Sequence, residues 1–141
     1  MSKENIKQFI YNEVLYATVM NILNVPSGLN FYTEDKNFIQ VGTWNYKKNT
    51  LLDLHYHLEF PRVAYKTNES VYVVKGRINC SLFTEDGEFL TEIEINENEM
   101  ITQFNGAHEY KILEDTIAIE IKNGPYFGPE KDRVRIEKQQ N

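Results

Sequence analysis

The feature that most constrains the fold is a series of short alternating runs between residues 37 and 122, each followed by a turn signal. Polar and apolar residues alternate in "FLTEIEI" (89–95), and Ile117, Ile119 and Ile121 alternate with other residues in "TIAIEIK" (116–122). Successive side chains of a β-strand point to opposite faces, so this period of two is typical of strands. Turn signals every eight to twelve residues predict an all-β sandwich or barrel.

The pattern predicts individual strands and leaves both ends of the chain less defined. Residues 5–25 are compatible with an amphipathic helix or with one or two strands, and their β-branched and aromatic content favours strands. After Lys122 the tail is punctuated by Gly and Pro and then becomes charged, so we expect it to pack outside and fray at its end. The predicted strands are 37–44, 51–58, 70–76, 77–83, 89–95, 100–104, 108–113 and 116–122, with a turn at 84–88.

Length and composition restrict the class of protein. The 141 residues predict one domain, with an N-terminal segment over about 1–30 and a tail over 123–141. The net charge of −6 disfavours a nucleic-acid partner, because phosphate binding needs a clustered basic face. No apolar run approaches the roughly 20 residues that span a bilayer, so no membrane partner is expected. Cys80 is the only cysteine and the N-terminus lacks a secretory pattern, which together predict a cytoplasmic protein.

Two of the three histidines, His55 and His57, lie two positions apart in "LDLHYHLEF" (52–60). On the strand predicted for 51–58 both imidazoles project to one face, opposite Leu54, Tyr56 and Leu58. Two imidazoles at this spacing can share a metal ion, or they can share a solvated surface. By itself the HxH pattern does not decide between the two.

Two further residues favour the metal. Glu69 begins "ESVYVVKG" and shares the face of Val71 and Val73, so a carboxylate enters an otherwise apolar face. A buried carboxylate needs a partner, and a cation is the natural one. The third histidine, His108, follows the turn "NGA" (105–107); taken alone it is best interpreted as a surface residue beside a turn.

The run "HYH" followed by "ESVYVVKG" resembles the first motif of the cupins, G-x5-H-x-H-x3–4-E-x6-G. Asn49 stands at the first glycine position, and Asn tolerates the left-handed backbone that such a turn uses. Gly76 is kept at the expected spacing from Glu69. The eleven residues between His57 and Glu69 exceed the family's three or four, and we interpret them as a longer hairpin loop.

The run "NEMITQFNGAH" resembles a shortened form of the second cupin motif, G-x5-P-x-G-x2-H. Asn98 stands for the first glycine and Phe104 for the proline, while Gly106 is kept. His108 follows after one residue instead of two, and Ile112 replaces the usual asparagine. Small cupins encoded near surface-sugar biosynthesis genes resemble the chain further, in the long spacer, the "GPY" at 124–126 and the "DR" at 132–133.

The resemblance implies a small antiparallel β-barrel or jelly roll that holds a metal site of three histidines and one glutamate. The implied ligands are His55, His57, Glu69 and His108. This donor set suits one divalent transition metal, Fe, Mn, Ni, Co, Cu or Zn, and the sequence does not choose among them.

Other residues are candidates for the lining of the cavity. Gln40 and Trp44 precede the HxH run, and Tyr110 shares the face of His108, so Gln40 and Tyr110 are candidate catalytic groups. Trp44 and Arg62 are candidates for substrate binding. Ordinary barrel packing is the alternative for Trp44 and Tyr110, and a solvated loop for Arg62. Cys80 is interpreted as a small buried hydrophobe.

Three functions remain open at this point. The first is a metal-dependent enzyme, an isomerase, epimerase, lyase or oxygenase, acting on a small polar metabolite such as a sugar or nucleotide-sugar intermediate. The second is a non-catalytic module that binds a metal or small ligand. The third is a metal-free sugar isomerase or epimerase that uses His55 or His108 as a general base. The apolar run at 9–23 also predicts a homodimer formed through added strands.

Overall fold

The computed structural model describes residues 5–139, and every strand pairing within them is antiparallel. The all-β class is therefore confirmed. The chain forms β1 (Ile6–Tyr11), β2 (Val14–Asn21), β3 (Gly28–Phe31), β4 (Gly42–Asn45), β5 (Glu69–Lys75), β6 (Arg77–Phe83), β7 (Phe89–Asn96), β8 (Glu99–Gln103), β9 (Ala107–Ile112), β10 (Ile117–Lys122) and a short helix α1 (Pro129–Asp132).

Two sheets pack around one apolar core. The larger has the order β1-β2-β8-β5-β10, the smaller has the order β7-β6-β9, and β3 and β4 form a separate hairpin. Alternate residues of the facing strands point inward and are buried together, as the period-two pattern predicts. The core consists of Ala17, Val19, Val71, Val73, Ile78, Cys80, Leu82, Ile93, Ile95 and Ile101.

The N-terminal segment is a β-hairpin, so the strand alternative for residues 5–25 is correct and the helix alternative is wrong. Asn12 and Glu13 join β1 to β2, and both have positive φ values, of 46° and 62°. Positive φ at both central residues is the geometry of a two-residue turn that matches the twist of the flanking strands. β2 then pairs with β8 and extends the larger sheet.

Strand prediction is accurate from residue 69 to 122 and fails before it. The run predicted at 37–44 forms a strand only at Gly42–Asn45, and the run predicted at 51–58 forms none. Residues 46–68 contain no strand or helix, and residues 46–67 are exposed throughout. We call this stretch the 46–68 segment. An alternating run becomes a strand only when a neighbour pairs with its backbone, and no tight turn supplies one here.

Within the described residues each of the two main sheets has two edge strands, β1 and β10 in the larger and β7 and β9 in the smaller. Within residues 5–139, β9 pairs only with β6 and β10 pairs only with β5, and these residues do not close into a barrel. Beyond β10 the tail crosses to the turn at 84–88, where the backbone N–H of Gln139 donates to the carbonyl of Gly87 at 3.1 Å. The predicted outside packing of the tail is confirmed. The predicted fraying concerns residues 140–141, which lie outside the described residues.

No helix in the described part of the chain is both long enough and apolar enough to cross a membrane.

Candidate functional site

Five polar or titratable residues meet at one end of the space between the sheets. Glu69 on β5 lies opposite Gln103 on β8, so their side chains share the inner face of the larger sheet. His108 and Tyr110 share the inner face of β9, and Cys80 on β6 lies opposite Tyr110. We call Glu69, Cys80, Gln103, His108 and Tyr110 the inner polar cluster.

The centre of the cluster is a contact between the two sheets. Nε2 of His108 lies 2.9 Å from Oε1 of Glu69, and their side chains are 35% and 17% exposed, respectively. The hydrogen bond from His108 lowers the pKa of the Glu69 carboxyl below its ordinary value of 4.5, against the opposing effect of burial. Glu69 is therefore ionised at neutral pH, and the pair remains accessible from the rim of the sandwich.

A second contact between the sheets lies beside the first. Nε2 of Gln103 donates to Oη of Tyr110 at 2.9 Å and approaches Sγ of Cys80 at 3.4 Å. Burial raises the pKa of Cys80 to about 12 and raises that of Tyr110 well above its usual range. Both groups are neutral at physiological pH, so Tyr110 offers a hydrogen bond but does not provide a phenolate.

The polar surface continues along β10. Lys122 lies opposite Glu69 and Glu120 opposite Val71, so both charged residues share the face of the inner polar cluster. Nζ of Lys122 lies 3.1 Å from Oε1 of Glu120, and both side chains are largely exposed. The space beside Glu69 is therefore bounded by charged groups on its open side.

The sequence identified part of this site. Glu69 shares a face with Val71, as predicted, and Tyr110 packs beside His108 with ring centroids 5.5 Å apart. Cys80 is fully buried, as expected of a small hydrophobe. Gln103 was missed, although its spacing of two from Ile101 in "MITQF" places an amide on the inward face of an apolar strand.

The structure does not bring the HxH pair to the cluster. His55 and His57 lie in the exposed 46–68 segment, with ring centroids 5.3 Å apart, and Nδ1 of His55 contacts the carbonyl of Asp53 at 2.8 Å. The expectation that a strand aligns them is wrong, because the segment has no paired neighbour. Across residues 5–139 no three side chains of His, Cys, Asp or Glu are grouped closely enough to hold a metal ion.

Three other candidates make their contacts near their own positions in the chain. Gln40, a candidate for the cavity lining, is exposed, and its Nε2 donates to the carbonyls of Glu34 and Asn37, each at 3.0 Å. Trp44 is 68% exposed and packs edge-on against Tyr46. The guanidinium of Arg62 lies 3.7 Å from the ring centroid of Phe60, within the exposed segment.

The turn positions that carry the resemblance have a common backbone property. Asn49, Gly76, Asn98 and Gly106 all have positive φ, between 66° and 89°. Asn49 and Asn98 therefore adopt the left-handed conformation for which glycine is otherwise used. At Gly106 an added Cβ would also collide with the ring of Tyr16 and the carbonyl of Phe83, so glycine is required there.

No protein family, curated protein or solved structure matches this chain. Arguments about its function therefore rest on its own residues and their geometry.

Proposed function

We propose that the protein is a metal-binding, cupin-like protein whose metal donors are His55, His57, Glu69 and His108. The observation that carries the proposal is the 2.9 Å contact between His108 and Glu69. An imidazole and a carboxylate from different sheets converge here in a partly buried position. A paired ionisable group at the mouth of a fold is a candidate functional site, because its desolvation opposes stability.

The donor chemistry fits a transition metal, and the contact between Glu69 and His108 supports the proposal for two of the four donors. Three imidazoles and one carboxylate suit a divalent ion of intermediate softness, Fe, Mn, Ni, Co, Cu or Zn. The remaining donors, His55 and His57, lie on the 46–68 segment. Donors from separate parts of a chain couple metal binding to local folding, so we propose that the metal orders this segment.

The free edge of β9 is the proposed docking position of the segment. β9 carries His108 and Tyr110 on its inner face, and within residues 5–139 its outer edge has no strand partner. Residues 51–58 have the length and alternation of a strand that could pair there. In that arrangement His55 and His57 would share the face of His108.

The order of strands supports a jelly roll. β5, β8 and β10 lie in one sheet, whereas β6, β7 and β9 lie in the other, so the chain passes repeatedly between the sheets. Such crossing between two antiparallel sheets is typical of Greek-key and jelly-roll folds. A strand added to β9 would extend the smaller sheet to four.

The proposed activity is enzymatic, on a small polar metabolite such as a sugar or nucleotide-sugar intermediate. A bound metal would supply Lewis-acid polarisation of a substrate oxygen or activation of water. Glu69 and His108 would hold the metal, and neutral Tyr110 would donate a hydrogen bond to a ligand oxygen. Lys122 and Glu120 would bind polar groups at the open side. We further propose a cytoplasmic homodimer formed through added strands at the N-terminal hairpin, where, within residues 5–139, β1 pairs only with β2.

Metal content tests the proposal. Protein purified without chelator and analysed for metals should contain about one transition metal ion per chain, since one donor set is present. His55→Ala, His57→Ala, Glu69→Gln and His108→Ala should each weaken Co²⁺ binding by at least about tenfold. Glu97→Gln, an exposed turn variant, is the control and should bind Co²⁺ normally. Absence of stoichiometric binding, or unchanged affinity in His108→Ala, would contradict the proposal.

A second function is favoured by the same contact: metal-free general-base catalysis by His108. When Nε2 of neutral His108 donates to Glu69, Nδ1 keeps a free lone pair that can accept a proton. Turnover of sugar nucleotides by chelated protein, retained in His55→Ala and lost in His108→Ala, would favour this function over the metal enzyme. Stoichiometric metal binding without turnover of any substrate would favour the non-catalytic module.

A further inference from the structure

The inner polar cluster contains two parallel contacts between the sheets, and only one of them involves the proposed donors. Glu69 and Gln103 are opposite neighbours on the larger sheet, and His108 and Tyr110 are alternate neighbours on β9. Glu69 contacts His108, and Gln103 contacts Tyr110, so the two contacts lie side by side. Each one fixes the distance between the same two sheets at nearly the same point.

Gln103 is the most completely buried of the four residues. It is 5% exposed, and its Nε2 is shared between Tyr110 and Cys80. Its carbonyl oxygen, Oε1, is buried without a hydrogen-bond partner among the described residues. An unsatisfied buried acceptor lowers stability, and such atoms in folded proteins call for a compensating role. An apolar residue at this position would remove the penalty.

Tyr110 links this amide to the histidine. Its ring packs against that of His108, with centroids 5.5 Å apart and planes tilted by 57°. The phenol oxygen is held by Gln103, so the ring has a fixed position from which it limits the rotation of the imidazole. His108 is only partly covered, and without this support its side chain would have alternative rotamers in solvent.

We propose that Gln103 is a positioning residue: by holding Oη of Tyr110 across the sheets, it keeps the His108 imidazole on Glu69. The inference rests on the proposed function only in that both concern the contact between Glu69 and His108. Gln103 acts through Tyr110: its side-chain hydrogen bonds among the described residues go to Tyr110 and Cys80, not to Glu69 or His108. In this role the amide restricts a ring that would otherwise move, although its own oxygen has no partner among the described residues.

The same strands provide a matched control on their opposite face. Ser70 follows Glu69 and Thr102 precedes Gln103, and their hydroxyl oxygens are 2.8 Å apart in a buried position. Replacing Thr102 by Val removes a buried polar contact between β5 and β8, as Gln103→Met would remove one between β8 and β9. Only the second change affects the face that carries His108.

The test uses metal-free protein and measures how fast diethyl pyrocarbonate labels each histidine, by peptide mass spectrometry. Exposed His55 and His57 are the internal reference. Gln103→Met and Tyr110→Phe should each raise His108 labelling relative to His57 by at least about fivefold, since one hydrogen bond restrains the ring. The double variant should show no further increase, because both changes break one link. Thr102→Val should leave the ratio unchanged.

Two outcomes would overturn the inference. One is a wild-type labelling ratio in both Gln103→Met and Tyr110→Phe, and the other is an equal rise in Thr102→Val, which would indicate general loosening. If Gln103→Met does not fold, Tyr110→Phe still decides, since it keeps the ring and removes only the oxygen. Failure here leaves metal stoichiometry untouched, so it is distinguishable from failure of the proposed function.

Discussion

The strands from β5 to β10 and the 46–68 segment have similar sequences and opposite structures. Both contain alternating apolar residues, yet Val73, Cys80 and Ile95 are completely buried whereas Leu54 is fully exposed. Nine large apolar residues of the segment are exposed: Tyr46, Leu51, Leu52, Leu54, Tyr56, Leu58, Phe60, Val63 and Tyr65. Exposed apolar side chains concentrated in one segment are a common feature of interaction sites.

The difference shows what alternation requires in order to become a strand. Each of β5 to β10 has a paired strand, but only β6 and β7 pair as consecutive strands, and the other pairings join strands farther apart in the chain. The 46–68 segment lies between the β3–β4 hairpin and β5, and has no such neighbour. Its backbone therefore has no strand partner among the described residues.

Truncation of apolar side chains should separate the two regions most strongly. Ile95→Ala in the core should lower the free energy of unfolding by about 2–5 kcal/mol, because it leaves a cavity. Leu54→Ala should change it by less than about 0.5 kcal/mol in the metal-free protein, because nothing packs on that side chain. Urea unfolding of both variants measures the difference. A large loss in metal-free Leu54→Ala would show that the segment is packed in solution.

Limited proteolysis should sharpen the comparison. Trypsin should cut metal-free protein first within the 46–68 segment, after Lys47, Lys48 or Arg62, while β5 to β10 resist. If metal orders the segment, saturating Co²⁺ should slow this cleavage by about tenfold or more. The His57→Ala variant is the control and should be cut at the metal-free rate in Co²⁺. Equal rates in wild type with and without metal would contradict docking of the segment.

The pH dependence of stability should reflect the contact between Glu69 and His108. Because folding lowers the pKa of Glu69, its ionisation stabilises the folded state above the ordinary value of 4.5. That contribution is lost as the pH falls through the lowered pKa of the folded state. Metal-free wild type should therefore lose more stability than Glu69→Gln below about pH 4.5. If the urea midpoints of the two proteins fell by the same amount from pH 6 to pH 3, this prediction would be contradicted.

The smallest effect is expected where the segment is attached to the sandwich. Nζ of Lys66 lies 3.2 Å from Oε1 of Glu85 and 3.3 Å from Oδ1 of Asn105. Exposed ion pairs contribute roughly 0–1 kcal/mol, so Glu85→Gln should have little effect on unfolding. The change should disappear in 1 M salt, where screening removes the pair. An effect as large as that of a core truncation would place this contact within the sandwich proper.

The sequence predicts the bounds of β5 to β10 well, because alternation and turn residues are local features of the chain. The bounds of β5 to β10 follow from alternation and turns, and Glu69 follows from its face. The proposed docking of residues 51–58 would not be local, since it would depend on an edge more than forty residues later in the chain. Gln103 was missed for a different reason: its spacing from Ile101 places the amide on the inward face, but the sequence does not reveal the contacts it makes there.

The pairing of β2 with β8 has a consequence for the time course of folding. The β1–β2 hairpin can form from its own turn, but Thr18 pairs with Thr102, so its inner residues wait for most of the chain before they are covered. Contacts between distant parts of a chain form slowly, because a long loop must close first. Until β8 arrives, Ala17 and Val19 face solvent on a strand that is paired on one edge only. The N-terminal hairpin is therefore expected to form early and to dock late. Until it docks, its unpaired strand edge is available to chaperones or to a second nascent copy.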